Sequence, residues 1–147
     1  MLYFAYTARI APEQMIDVAP SALFEFIAHL PEWGLEFPIK DKHWGGGLPN
    51  VKPDPGHTVW GAVFSMADDD LKMLHKIETE EQRTVVEVEA MDRMGKRHRV
   101  LTHVFDGSAN GQYTPAPGYL QLMLGGSKHW SLPAGWIAGL EEHLNGH

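Results

Sequence analysis

The sequence predicts an α+β protein that forms a single domain over residues 1–147. Two observations favour this class: segments with strand composition outnumber helical ones in the middle of the chain, and the helical segments cluster late. A parallel α/β protein would instead alternate strands and helices along its length. A chain of 147 residues is also long enough to bury one hydrophobic core.

The N-terminal third is predicted to contain two strands and a short helix. Leu2–Ala8 is mainly apolar and aromatic, which indicates a strand, and Pro12–Val18 follows as a helix. In Ala22–His29 the residues alternate with a period of two, which favours a second strand. Gly45–His57 is rich in glycine and proline, so we expect a loop with at most one short strand there.

The remaining elements follow from composition and helix signals. Thr58–Met66 is β-branched and aromatic, which predicts a buried strand, and Asp68–Glu80 has the acidic first turn of a helix. Arg83–Phe105 alternates valine with glutamate before a turn near residues 94 and 95, which predicts a hairpin. Gly118–Trp130 and Ala134–Leu144 are predicted to be two C-terminal helices.

Composition excludes several classes of protein. The net charge of −7 argues against nucleic acid or an anionic membrane as the partner. The absence of cysteine excludes disulfides, thiolate catalysis and cysteine-ligated metals. No apolar run approaches the roughly 20 residues of a membrane span, and the N-terminus lacks the basic region of a signal peptide. We therefore expect a cytoplasmic protein.

Few side chains indicate chemistry by themselves. The spacing of His98 and His103 places them on opposite faces of a strand, so no metal site is expected despite nine histidines. Ser127 lies in a helical segment and lacks the pattern of a nucleophile elbow. Glu78 lies at the end of a predicted helix beside its apolar stripe, and periodicity alone favours a solvated helix residue.

Several short segments, taken together and in order, are more informative. They are "YFAY", "APSALFEFIAHLPEWGLEF", "WGGGLPNV", "VWGAVFSM" followed by "LKMLHKIE", and "PAPGYLQLMLGGSKHWSLP". In this order and spacing the chain resembles the gamma-glutamylcyclotransferase family from Leu2 to about Leu140. The resemblance implies a small closed antiparallel or mixed β-barrel with flanking helices.

The resemblance also implies a site. In the family a glutamate after the "VWG" strand is the general acid/base, and it corresponds to Glu78 in "LHKIET". The last hairpin strand carries His103 where the family has a tyrosine, and His75 and Thr79 replace the family's Asp and Gly. The implied substrate-binding residues are Tyr3, Phe4, Ala5, Tyr6, Thr7, Ala8, Arg9 and Tyr119.

The implied reaction is an intramolecular cyclisation. The α-amine of a γ-glutamyl group attacks its own γ-carbonyl, which releases 5-oxoproline and a free amine without metal or cofactor. Thr7, Ala8 and Arg9 stand where the family has Gly-Ser-Asn. Backbone N–H groups of this loop would bind the γ-glutamyl group of a small-molecule substrate.

Alternatives to this reaction stay open at the level of sequence. One is a non-catalytic domain of the same fold that binds a small ligand or a protein, and another is a hydrolase or lyase that uses Glu78 on an unrelated amide. Arg9 would either steer a carboxylate of the substrate through a bidentate contact or lie in solvent as an ordinary loop arginine.

Overall fold

The computed structural model describes residues 1–105, 107 and 111–146. In these residues five strands close into a barrel, with helices packed around it. The strands are β1 (Leu2–Ala5), β2 (Leu23–Asp41), β3 (Gly46–Ser65), β4 (Arg83–Asp92) and β5 (Arg97–Phe105). The helices are α1 (Pro12–Val18), α2 (Asp68–Glu80), α3 (Pro117–His129) and α4 (Ala134–Leu144).

The barrel has the order β1-β3-β2-β4-β5 and closes through β1. Strand β1 is antiparallel to β3, with Tyr3 opposite Phe64, and parallel to β5, with Leu2 opposite Val100. All other pairs in the barrel are antiparallel. The α+β class and the mixed, closed barrel predicted from the sequence are therefore confirmed.

The interior of the barrel receives side chains from every strand of the sheet. Phe4 of β1 is fully buried there with valines, alanines and leucines of the other four strands. Its neighbours Tyr3 and Ala5 face the other way, toward a cluster that includes Leu74 of α2. The period-two alternation of β1 therefore places Tyr3 between the barrel and α2.

Several predicted boundaries are wrong. The second strand, predicted over Ala22–His29, continues as β2 to Asp41. The first strand ends at Ala5 instead of Ala8, because Thr7 caps a 3₁₀ helix over Ala8–Ile10: its hydroxyl oxygen accepts a hydrogen bond from the N–H of Arg9. The predicted loop Gly45–His57 lies almost entirely in β3, which pairs with β2 along a long ribbon. Shifts of register along this ribbon accommodate glycines and prolines that would break a flat strand.

One glycine controls how closely β1 approaches β3. A Cβ atom on Gly61 would lie 2.6 Å from the carbonyl oxygen of Ala5 and 2.6 Å from the ring of Phe4. Glycine therefore lets β1 pack tightly against β3 just before the loop at Thr7.

None of the helices in the described ranges is long and apolar enough to cross a membrane.

Candidate functional site

Glu78 lies in the last turn of α2 and is fully buried. Residues three or four positions apart share one face of a helix, and Glu78 follows buried Leu74 on the face turned to the barrel. The hydroxyl of Thr7, in the loop after β1, donates a hydrogen bond of 3.2 Å to Glu78 Oε1. The solvated alternative for Glu78 is therefore wrong.

A tight turn after α2 brings two more charged side chains inward. The N–H groups of Glu81 and Gln82 bond to the last carbonyls of the helix, and Gln82 has a φ of 67°, in the left-handed region. Arg83 then begins β4 and is fully buried. Its Nη1 donates to Glu78 Oε2 at 2.9 Å and to Glu81 Oε1 at 2.6 Å.

Arg9 and Tyr119 complete the contacts around these carboxylates. Arg9 Nη2 donates to Glu81 Oε2 at 3.1 Å, and Arg9 Nε lies 3.8 Å from Glu78 Oε1. The hydroxyl of Tyr119, from α3, donates to Glu81 Oε1 at 2.6 Å. We call Arg9, Glu78, Glu81 and Arg83 the buried charge cluster; it pairs two guanidinium groups with two carboxyl groups.

The electrostatics of the cluster combine burial with opposite charges. Burial raises the pKa of Glu78, the Arg83 guanidinium opposes this increase, and Glu81 reinforces it. Burial likewise raises the pKa of Tyr119, so its phenol stays a hydrogen-bond donor. In the described part of the chain, Arg9 Nε and Arg83 Nη2 are buried and find no hydrogen-bond acceptor. The cluster thus holds donor groups that are not used by the protein itself.

Comparison with known proteins identifies the family. The sequence model of the AIG2-like family matches residues 58–140, more than half of the chain. The chain belongs to the AIG2-like family. The match begins in β3 and runs through α2, the hairpin and α3 into α4, so it includes Glu78, Glu81, Arg83 and Tyr119.

Curated relatives and solved structures agree with this assignment. Bovine gamma-glutamylcyclotransferase is 27% identical over 136 residues, which cover 90% of this chain and 72% of the relative. The human protein of the same name is 28% identical over 138 residues, with the same coverage. A solved gamma-glutamyl cyclotransferase superposes with a TM-score of 0.88 at 26% identity, over 96% of this chain and 86% of its own. The resemblance predicted from the sequence is confirmed.

The AIG2-like barrel brings some of the predicted site residues together and separates others. Thr7, Arg9, Glu78 and Tyr119 meet around the charge cluster. The remaining predicted residues are all buried but lie elsewhere: Phe4 in the barrel interior, Ala5 in the core against α1 and α2, Ala8 in the core against α3, and Tyr3 and Tyr6 beside His103.

The loop after β1 matches the predicted set of free backbone N–H groups only in part. Thr7 has φ −79° and ψ −166°, an extended conformation that a β-branched residue adopts without strain. The N–H groups of Thr7 and Ala8 bond to no acceptor in the part of the chain that the structure describes, but the N–H of Arg9 is taken by Thr7. The solvated alternative for Arg9 is also wrong, since only 5% of its surface is exposed.

Sequence reasoning missed Glu81 and Arg83. Both have the sequence context of ordinary charged residues between a helix and a strand. A signal was present for Glu81, because it follows Glu78 by three positions and so continues the same helix face. No comparable signal existed for Arg83, whose inward direction depends on the left-handed turn at Gln82.

A cavity of about 540 Å³ opens beside the cluster, and Arg83, Thr79, Gln82, Lys40 and Tyr113 are among the residues of its wall. Glu78 does not line it. Groups of three or more His, Asp and Glu side chains arranged to hold a metal ion are absent from the described residues.

Proposed function

We propose that the protein cyclises a γ-glutamyl amine or peptide to 5-oxoproline and the free amine, with Glu78 as general acid and base. The observation that carries this proposal is the contact between Glu78 and Thr7. It joins a buried carboxylate to the loop after β1, where the family resemblance implies that the γ-glutamyl group binds. The names of the curated relatives support the same reaction class.

The reaction needs a proton acceptor close to an amine. An α-amino group has a pKa of roughly 8, so it is mostly protonated near neutral pH. A carboxylate such as Glu78 accepts a proton from this nitrogen and later returns one to the leaving amine. Because the nucleophile and the electrophile belong to one molecule, folding the substrate into a ring-closing shape supplies much of the remaining rate.

Arg83 limits the increase in the pKa of Glu78 that burial causes. Burial favours the neutral form of the Glu78 carboxyl group, which cannot accept a proton. The Arg83 guanidinium, 2.9 Å away, favours the ionised form, which can. The unused donors Arg9 Nε and Arg83 Nη2 are available to an oxygen that becomes negative when the γ-carbonyl is attacked. Fixed donors of this kind stabilise an oxyanion in a site that excludes water.

Access to Glu78 requires part of the cluster to move. Glu78 and Arg83 have no exposed surface, whereas Arg9 and Glu81 are 5% and 9% exposed. Arg9 and Glu81 therefore form the outer cover, and we expect a substrate to reach Glu78 when this pair shifts. The neighbouring cavity offers space for the leaving amine.

The test is turnover of a panel of γ-glutamyl amines and peptides, with release of 5-oxoproline as the signal. On an active substrate, Glu78→Gln should lower kcat by about 100-fold or more, because the amide keeps the shape but accepts no proton. Glu80→Gln is the matched control, since Glu80 is exposed on the same helix. Near wild-type kcat in a folded Glu78→Gln variant would rule out the assigned role.

A second candidate function is a non-catalytic domain that binds a small ligand or a protein. It is favoured by the burial of Glu78 in close contact with two arginines, which is how a purely structural carboxylate is held. The same panel separates the two functions. Binding of 5-oxoproline or a γ-glutamyl compound without any turnover would support the non-catalytic domain.

A further inference from the structure

A row of three hydrogen-bonded side chains leads from the core to the surface, and its two ends lie on the segments that hold Glu78: β1, which leads into Thr7, and α2, where His75 precedes Glu78 by three positions. The hydroxyl of Tyr3 lies 2.7 Å from His103 Nδ1, and His103 Nε2 lies 2.8 Å from His75 Nδ1. Tyr3 and His103 are buried, whereas His75, on α2, is partly exposed. We call Tyr3, His103 and His75 the histidine row.

The two ring nitrogens of His103 make the row reversible. A neutral imidazole has one nitrogen that donates and one that accepts. In one arrangement Tyr3 donates to His103 Nδ1 and His103 Nε2 donates to His75. In the other, His75 donates to His103 Nε2 and His103 Nδ1 donates to Tyr3. Conversion between the two arrangements moves one proton along the whole row.

We propose that the histidine row carries protons between the buried site at Glu78 and solvent. The proposal rests on the function proposed above, because that reaction takes two protons from the attacking nitrogen whereas Glu78 holds one at a time, so a second route to solvent would free Glu78 for the next transfer. The α-ammonium nitrogen loses two protons as it forms the new bond to the γ-carbon. The leaving nitrogen gains two as its own bond to that carbon breaks.

The proton balance assigns a separate task to each group. Glu78 holds a single proton at a time, so it serves the exchange at the attacking and leaving nitrogens. The first proton of the ammonium group passes outward through the row, and solvent later returns one to the departing amine. Substrate and products carry the same number of protons overall, so no other reactant is required.

The surroundings of the row suit this task. His103 is faced by Tyr3 and Tyr6 from β1 and the residues that follow it, by His75 from α2, and by Arg83 from β4. Burial, His75 and Arg83 lower the pKa of His103 to about 3, so its ring is neutral near pH 7 and can switch tautomers. Burial and the charge of Glu78 raise the pKa of Tyr3, so its phenol stays protonated near pH 7 and can donate to His103.

The decisive experiment compares variants at the two ends of the row, under single-turnover conditions with an active γ-glutamyl substrate. His75→Gln should slow 5-oxoproline formation by about 10-fold or more. This minimum is set below the roughly 100-fold lower end for a group that acts directly on the substrate, because His75 acts through His103. Added imidazole should restore much of that rate. Tyr3→Phe should slow it similarly but resist imidazole, because its defect lies inside the protein.

His98→Gln is the matched control. His98 is also partly exposed and lies on β5. Its side chain is on the opposite face of that strand from His103, and it contacts Asp92. Wild-type rates in folded His75→Gln, or equal slowing by His98→Gln, would overturn the proposal. A rate loss in His75→Gln that imidazole does not relieve would also overturn it.

A measurement without substrate separates failure of the row from failure of the proposed function. Nitrogen-15 NMR of the imidazole rings at pH 7 should find His103 neutral, with its Nδ1 and Nε2 protons exchanging with those of His75 and water. A charged His103, or one tautomer locked in place, would overturn the row whatever the activity. Mobile tautomers in a protein that turns over no γ-glutamyl compound would retain the row and reject the reaction.

Discussion

Removal of the Arg83 guanidinium should test how much of the fold's stability depends on the buried charge cluster. Arg83 Nη1 contacts two buried carboxylates at 2.9 and 2.6 Å, and its Nε donates to the carbonyl of Pro49 at 3.0 Å. In Arg83→Met the two carboxylates keep only Arg9 as a positive partner. The variant therefore leaves an uncompensated negative charge in the core.

The magnitude follows from measurements on buried ion pairs. Removing one partner of such a pair costs about 3–5 kcal/mol of unfolding free energy. At about 2–4 °C per kcal/mol for a protein of this size, Tm should fall by about 6–20 °C. Arg83→Lys retains the charge but cannot reproduce the fork of contacts, so it should lie between Met and wild type.

The assay is urea and thermal unfolding followed by circular dichroism. Arg97→Met is the matched control. Arg97 contacts Glu89 at 2.8 Å, a distance between those of the two Arg83 contacts, but 67% of its side chain is exposed. Exposed ion pairs contribute little to stability, so its Tm should hardly change. Equal effects of the Arg83 and Arg97 substitutions would refute the assigned importance of burial.

The cluster also predicts a pH dependence with a definite sign. Burial raises the pKa of folded Glu78 above the ordinary value of 4.5, so the folded state retains a proton that the unfolded state releases. Unfolding free energy therefore falls as pH rises from about 4.5 through the folded pKa. Arg83→Met removes the charge that opposes this shift, so its deficit in Tm should narrow as pH is lowered toward 4.5. A deficit independent of pH would contradict this reasoning.

Two further predictions concern the strand and loop that carry the site. Gly61→Ala should destabilise the protein by about 1–3 kcal/mol in urea, because its new methyl group would overlap Ala5 and Phe4; Gly139→Ala in α4 has free space and should be neutral or stabilising. Arg9→Ala should raise KM for anionic γ-glutamyl compounds more than for neutral amines, in steady-state assays, if Arg9 steers a carboxylate; equal changes in KM would exclude that role.

The helices and the hairpin could be predicted because their signals are local. Pro12 and the acidic residues at 68–70 mark helix starts, and valine–glutamate alternation marks β4. The ribbon of β2 and β3 could not be predicted in full. Its glycines and prolines are turn signals by composition, and only pairing between distant segments, with shifts of register, makes them part of strands.

The candidate site could be predicted only where the family resemblance supplied positions. The resemblance identifies Glu78. Its alternative as a solvated helix residue is wrong because the buried face of α2 includes Glu78, one turn beyond the buried Leu74. The contacts of Arg83 depend on backbone geometry at Gln82, for which glutamine carries no sequence signal. The histidine row joins residues 28 and 100 positions apart, which periodicity within one element cannot reveal.

The closure of the barrel by β1 links local unfolding directly to loss of the site. This strand of four residues pairs with β3 on one side and with β5, about 98 positions later, on the other. Its release would withdraw Tyr3 from His103 and Thr7 from Glu78 in a single opening event. Amide hydrogen exchange at Tyr3, Phe4 and Ala5 would therefore report how often the intact protein lacks its site, even when the rest of the barrel stays folded.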